Sequence, residues 1–180
     1  TFMPWASIST GMNVRLLEES GADIAYVMPS HQYPMGVVMP VKRRQELLSW
    51  AGRGEKRYLI EDDYDSEFRY RGKPFPALQG MDIQGKVIYM GTFSKSIAPA
   101  IRVGYLVLPA PLLAVYKRKC GFYASTVSRI DQKIIYQFLT EGHYERHLNR
   151  MRAIYKGKHD MLMSELKTLG TEFIVQGEYA

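Results

Sequence analysis

Hydrophobic and polar positions follow two different periods along this chain. After Asn13 the stretch V-R-L-L-E-E-S has helical spacing, with Asn13 as its cap and Gly21 as its stop. Ile24 to Met28 is a short apolar run halted by Pro29 and Ser30, which by length and flanks predicts a buried strand. Pro40 opens a second helical pattern, V-K-R-R-Q-E-L-L-S-W-A, that closes near Gly52 and Gly54. Tyr58 to Ile60 then leads into E-D-D-Y-D, a strand with a polar carboxyl end. A loop with Pro74 and Pro76 follows, then the strand K-V-I-Y-M (86–90) and the loop G-T-F-S-K-S-I-A-P-A-I-R (91–102). Val103 to Leu108 predicts one more strand, ended by Pro109.

Beyond Pro109 the pattern turns helical. Ile130, Ile134, Ile135, Phe138 and Leu139 recur at helical spacing, and Gly142 marks the stop. A longer helix is predicted from about His143 to Leu169, with Leu148, Met151, Tyr155, Leu162 and Leu166 near one face and Gly157 as a local weakness. T-E-F-I-V-Q-G-E-Y-A (171–180) reads as the beginning of a further strand. Strands alternating with helices predict an α/β fold, an open and mostly parallel sheet with helices on both faces. In such sheets ligands sit beyond the carboxyl ends of the strands. Polar clusters fall at three such ends: His31 and Gln32, then Asp62 and Asp63, then Thr92, Ser94 and Lys95. These three clusters are expected to converge.

Composition narrows the class without adding chemistry. At 180 residues, 46% hydrophobic and 23% charged, the chain is long enough for a domain with a real core. It has no low-complexity tract or repeat, and no apolar run near the roughly 20 residues that span a bilayer. The first residues, Thr-Phe-Met-Pro-Trp, lack the features of a signal peptide, and the single Cys120 excludes an internal disulfide or a cysteine metal cage. Both fit a cytoplasmic protein. The net charge of +6 is uneven: between Ala114 and Asp160 ten Lys or Arg face four acids, which accounts for the whole excess. Solvated basic faces on a pair of amphipathic helices explain that run better than nucleic-acid binding, since no aromatic-interleaved basic motif or helix-turn-helix accompanies it.

Carboxylates at a strand end could hold Mg²⁺ for phosphoryl transfer, with Asp62 and Asp63 as ligands. That chemistry normally also needs a phosphate cradle, and neither G-x-x-x-x-G-K-[ST] nor G-x-G-x-x-G occurs. A serine hydrolase is unsupported, because Ser94 is not set in a nucleophile elbow. Pyridoxal 5'-phosphate (PLP) uses all of these residue types together. Its aldehyde needs a lysine, its ring nitrogen a carboxylate, and its phosphate needs hydroxyls and an arginine fork. Lys95 with Thr92, Ser94 and Arg102 supplies the first and third needs, and an acid from the preceding strand end supplies the second.

At this point the motifs carry a resemblance. T-F-S-K-S-I-A-P-A-I-R-V-G-Y (92–105) resembles the S-x-S-K…R-x-G signature of fold-type I PLP-dependent aminotransferases. P-S-H-Q-Y-P-M-G-V-V-M-P (29–40), I-E-D-D-Y-D-S-E-F-R-Y (60–70) and V-I-Y-M-G-T-F-S-K-S (87–96) resemble, more narrowly, the aminotransferase-like domain of MocR/GabR-type regulators in the GntR superfamily. The similarity runs in order from about Gly11 to Leu169. It implies that Lys95 forms the internal aldimine, that Asp62 pairs with the pyridine nitrogen, and that Tyr64 bonds the ring's phenolic oxygen. It further implies that Thr92, Ser94 and Arg102 hold the phosphate, and that the site contains no metal. Strand alternation lets only one of Asp62 and Asp63 face the site, and the family pattern favours Asp62. Tyr64 could instead be simple packing, and Asp65 and Glu67 read as structural.

The same resemblance implies a domain organisation. Residues 1–142 correspond to the central part of the PLP-binding large domain, and 143–180 to a long helix and the start of the small domain. The rest of both, and a winged-helix DNA-binding domain, would lie outside the chain, which would then be a fragment of a larger homodimeric protein. The expected role is an effector domain that senses an amino-group-containing small molecule through aldimine exchange at Lys95, with DNA bound only through the winged helix and no membrane involved. A stand-alone aminotransferase is the alternative. One departure separates them: aminotransferases read N-P-x-G where this chain has Tyr33-Pro-Met-Gly36, which favours the regulator and leaves His31 or Gln32 to replace the lost asparagine.

Overall fold

A computed structural model describes residues 6–7, 11–33, 36–68 and 76–170. Two short strands, β1 (Ala6–Ser7) and β2 (Gly11–Met12), pair antiparallel ahead of helix α1 (Val14–Glu19). Asn13 caps α1 as expected, its side-chain oxygen accepting from the amides of Arg15 and Leu16. Strand β3 (Ile24–Val27), helix α2 (Val41–Gly52) and strand β4 (Tyr58–Asp63) follow. A 3₁₀ turn η1 (Ser66–Phe68) and the short helix α3 (Leu78–Met81) lead to strand β5 (Val87–Thr92). Next come helix α4 (Phe93–Ser96), a 3₁₀ turn η2 (Pro99–Ile101) and strand β6 (Gly104–Val107). Helices α5 (Ala110–Cys120), α6 (Arg129–Thr140) and α7 (His143–Lys167) complete the described order.

The main sheet runs β3-β4-β5-β6, parallel across the first two junctions and antiparallel at the last. This is the mostly parallel α/β sheet that the pattern predicts, with β6 reversed among its described strands. Side chains alternate across it. Ala25, Val27, Leu59 and Val87 point to one face and join Leu17, Met39, Leu47, Trp50, Ala51 and Leu78 in the core. Leu47, Trp50 and Ala51 share one stripe of α2 by their spacing, and each large apolar side chain so buried contributes about 1.5–3 kcal/mol. The opposite face carries Ile24 and Tyr26, which remain exposed, as does Leu106 of β6. Helices α1, α2 and α3 pack over this core.

Two loops around this core are tied to a buried cation. Arg44 of α2 is wholly buried, and its guanidinium donates to the carbonyls of Pro29, Met39 and Pro76 at 2.8–3.0 Å. It thereby joins the segment after β3 to the segment before α3. Glu61, equally buried, accepts from the amides of Leu78 and Gln79 and fixes the start of α3. Burial pushes the Glu61 carboxyl up, against the opposing pull of those two amides and of Arg44.

The basic segment forms α5, α6 and α7, and α5 has no buried residue. Its last turn holds Lys117, Arg118 and Lys119, where cations complement the carbonyl end of a helix. Helix α7 runs unbroken through Gly157 and docks through Leu148, an Arg152 bond to the Glu67 carbonyl (2.7 Å) and an edge contact of Tyr155 on Phe68. No helix among the described residues is long and apolar enough to cross a membrane. The expected strand at 171–180 lies outside the described residues, as do Pro34, Met35 and Pro74.

Candidate functional site

The carboxyl end of β4 places three consecutive acids in three different surroundings. Glu61 and Asp63 face the closed side of the sheet and Asp62 faces the open side, as alternation requires. Asp63 is buried and fully engaged: it accepts from the Ser66 amide and hydroxyl and from the Tyr89 phenol. Asp62 meets Tyr26, its diagonal neighbour on β3, whose phenol donates to one carboxylate oxygen. Burial, then the bond to Asp62 and its charge, push the Tyr26 hydroxyl up to about 12. With Asp62 and Asp63 on opposite faces, the two carboxylates do not form one chelate, which removes the Mg²⁺ arrangement considered for them.

Lys95 reaches the same end of the sheet from α4. The expected loop is one turn of helix there, because Thr92 Oγ1 accepts from the Ser94 amide (3.1 Å) and caps it. Lys95 Nζ lies 2.7 Å from Asp65 Oδ2 and 5.2 Å from the centre of the Tyr64 ring. The same Asp65 oxygen lies 2.9 Å from His31 Nδ1. An ionised carboxylate only accepts, so Nδ1 carries the proton. Tyr64 donates its hydroxyl to the His31 carbonyl (2.9 Å), and its ring lies nearly parallel to the imidazole, tilted by 16°. Burial, followed by the charges of Asp65 and Asp62, pushes the Tyr64 hydroxyl up to about 12. The segments after β3, β4 and β5 thus converge through His31, Tyr64, Asp65 and Lys95.

The loop from β5 to β6 is closed by its own backbone. Phe93 donates to the Val103 carbonyl, Thr92 pairs with Gly104, and the Thr92 hydroxyl donates to the Val103 carbonyl at 3.3 Å. Gly91 permits the approach of β6, since a Cβ there would fall 2.3 Å from the Tyr105 ring. Arg102 sits in this loop in the left-handed region (φ 48°), the sole non-glycine residue to do so among those described. It is exposed. Neither its guanidinium nor the Ser94 hydroxyl makes a hydrogen bond or ion pair among the described residues.

Asp65 and Tyr26 are partners that the linear sequence does not single out. Asp65 reads as structural there, yet it holds Lys95. Its burial alone would raise its carboxyl, but hydrogen bonds from His31 and Lys95, together with their charges, outweigh that and hold it below the ordinary carboxylate range. A lowered folded value stabilises the fold above the unfolded carboxyl value near about 4, and the stabilisation is lost as pH falls through the folded one. Acid unfolding of Asp65→Asn is therefore expected to depend less steeply on pH below about 4 than that of the parent, as read by circular dichroism. Equal slopes would exclude the pairing.

Residues 15–178 match the family described as aminotransferase class I and II. The uncharacterized HTH-type transcriptional regulator YdeL of Bacillus subtilis (strain 168) is 41% identical over 169 residues, which is 93% of this chain and 36% of that protein. The probable rhizopine catabolism regulatory protein MocR of Rhizobium meliloti is 42% identical over 132 residues, 73% of this chain and 27% of its own length. The chain spans about a third of the length of such curated relatives. Among solved structures, LysN, an α-aminoadipate aminotransferase of Thermus thermophilus complexed with N-(5'-phosphopyridoxyl)-L-leucine, superposes with a TM-score of 0.79. It is 26% identical, and the match covers 96% of this chain and 46% of that one.

Proposed function

This chain belongs to the class I and II aminotransferase family, and from that premise we propose that it is the PLP-binding, aminotransferase-like effector domain of a MocR-type transcriptional regulator of the GntR superfamily. The observation that carries the reading is the meeting of Lys95, Asp62, Tyr64 and the Thr92–Arg102 loop at the carboxyl ends of adjacent strands. The donor set suits PLP: an amine half-exposed at the site, a carboxylate on the open face, and a hydroxyl and a guanidinium with no other partner among the described residues.

PLP supplies an electrophilic aldehyde and a ring that withdraws electrons. Lys95 would hold it through its amine. Asp62 rather than Asp63 would hold the proton at the ring nitrogen, because Asp63 is already engaged by three donors on the closed face. Tyr64, whose hydroxyl donates to the His31 carbonyl, would bond the ring oxygen. Thr92, Ser94 and Arg102 would take the phosphate. Residues 1–142 form the central part of the large domain, and 143–180 a long helix and the start of the small domain. In the whole protein a winged helix binds DNA, two copies pair, and an amino-group-containing small molecule is the signal, all in the cytoplasm.

Relatives that are regulators support this reading over a stand-alone aminotransferase. So does Tyr33, which replaces the asparagine of aminotransferases and is largely exposed. The reading frame upstream of Thr1 is the direct test: a winged-helix segment there is expected, and its absence favours the enzyme. In full-length protein, Arg102→Leu is expected to weaken PLP retention about tenfold, the scale of one charge-assisted phosphate contact, without moving the absorbance of what remains bound. Unchanged affinity on dialysis removes the phosphate role from Arg102.

A further inference from the structure

We propose that Asp65 is the positioning residue of Lys95, and that His31 is the second donor that lets Lys95 leave it. A single carboxylate oxygen, Asp65 Oδ2, takes both Lys95 Nζ at 2.7 Å and His31 Nδ1 at 2.9 Å. The two donors differ in surroundings. The Lys95 side chain is 50% exposed, so its ion pair is loosely held and readily broken, whereas the His31 side chain is 24% exposed. Asp65 itself is 7% exposed and cannot stay ionised without a partner. His31 reaches Asp65 from the segment after β3, independently of Lys95, and its ring lies nearly parallel to that of Tyr64. When the amine departs, the carboxylate keeps a donor and no buried charge is stranded.

The inference rests on the proposed function for why the amine must leave. Attachment to an aldehyde joins Nζ to the carbonyl carbon by a double bond and releases water. Nζ must first lose its ammonium proton to solvent, and must lose its contact with Asp65. Asp65 therefore holds the unattached ammonium over the Tyr64 ring and sets how easily it is given up. His31 sets the opposite side of that balance.

Opposite signs are expected from the two partners, which a merely structural role would not give. Cofactor-free full-length protein is pulse-labelled with acetic anhydride across a pH series, and acetylation of Lys95 is read by mass spectrometry against its other lysines. Asp65→Asn is expected to raise the Lys95 labelling rate near neutral pH by roughly threefold to tenfold, and Asp65→Glu to restore slow labelling. His31→Phe keeps a ring beside Tyr64 but leaves Lys95 as the principal donor to Asp65, so labelling is expected to slow about threefold. The rate of PLP attachment, followed by absorbance, should change in the same directions. An Asp65→Asn rate equal to the parent's overturns the proposal. If that variant does not fold by circular dichroism, a His31→Phe rate equal to or above the parent's overturns it. Should the parent take up no PLP, the proposed function fails while the labelling arm still decides for or against Asp65.

Discussion

Full-length Lys95→Ala protein, incubated with PLP and reduced with borohydride, is expected to carry no stoichiometric pyridoxyl adduct, while the parent gains one per chain. The loss is complete rather than graded, because the adduct requires an amine at the place where the three strand ends meet. Lys95 is the lysine that arrives there, through the Thr92-capped turn that follows β5. Lysines on α5 and α7 lie on solvated faces and can give only scattered, substoichiometric labelling. Peptide mapping separates the two outcomes. A stoichiometric adduct that persists in Lys95→Ala would falsify the assignment of Lys95, and with it the carrying observation for the proposed function.

The largest loss of stability is expected from Arg44→Met. Methionine fills much of the same space, so the cost comes from polar groups rather than from a cavity. Three carbonyls, of Pro29, Met39 and Pro76, lose a charged donor in a fully buried setting, and Glu61 loses a neighbouring cation. Pro29 retains the Met39 amide, so it is the least affected of the three. Breaking such a buried, hydrogen-bonded charge costs about 3–5 kcal/mol. Urea unfolding measures it, and a change below about 1 kcal/mol would mean that solvent or neighbouring groups replace the guanidinium. Because Pro29 lies two residues before His31, the same substitution is expected to loosen the His31 end of the site.

Much of this could be read from the sequence, for definite reasons. The strand ends at Val27, Asp63 and Thr92 are marked where apolar runs meet polar clusters, and the convergence of those clusters follows from parallel packing alone. Asn13, Pro40 and Gly142 punctuate α1, α2 and α6 where the pattern predicts. What stayed hidden depends on neighbours distant in the chain. Tyr26 meets Asp62 only through the β3–β4 register, and Asp65 meets both His31 and Lys95 only after three segments are assembled. Arg44 stands in a run of charges, K-R-R, that reads as a solvated helix face, and its burial depends on two loops closing over α2. The reversed direction of β6 has no signature in a short apolar run. Helix α5 is faint in the sequence because none of its apolar residues is buried.

The reversal of β6 also bears on the order in which the site can assemble. Thr92 and Val103 are bonded across a separation of 11 residues, so the loop with Lys95 and Arg102 closes over a short span. Asp65 joins Lys95 across 30 residues and His31 across 34, while Asp62 joins Tyr26 across 36. Closure entropy grows with the logarithm of loop length, and pairings between distant segments are the slow steps of folding. The arm that would grip an anion can thus form as a local unit, ahead of the acids that would read a ring, and hydrogen exchange at Phe93 should report protection earlier in refolding than at Tyr26.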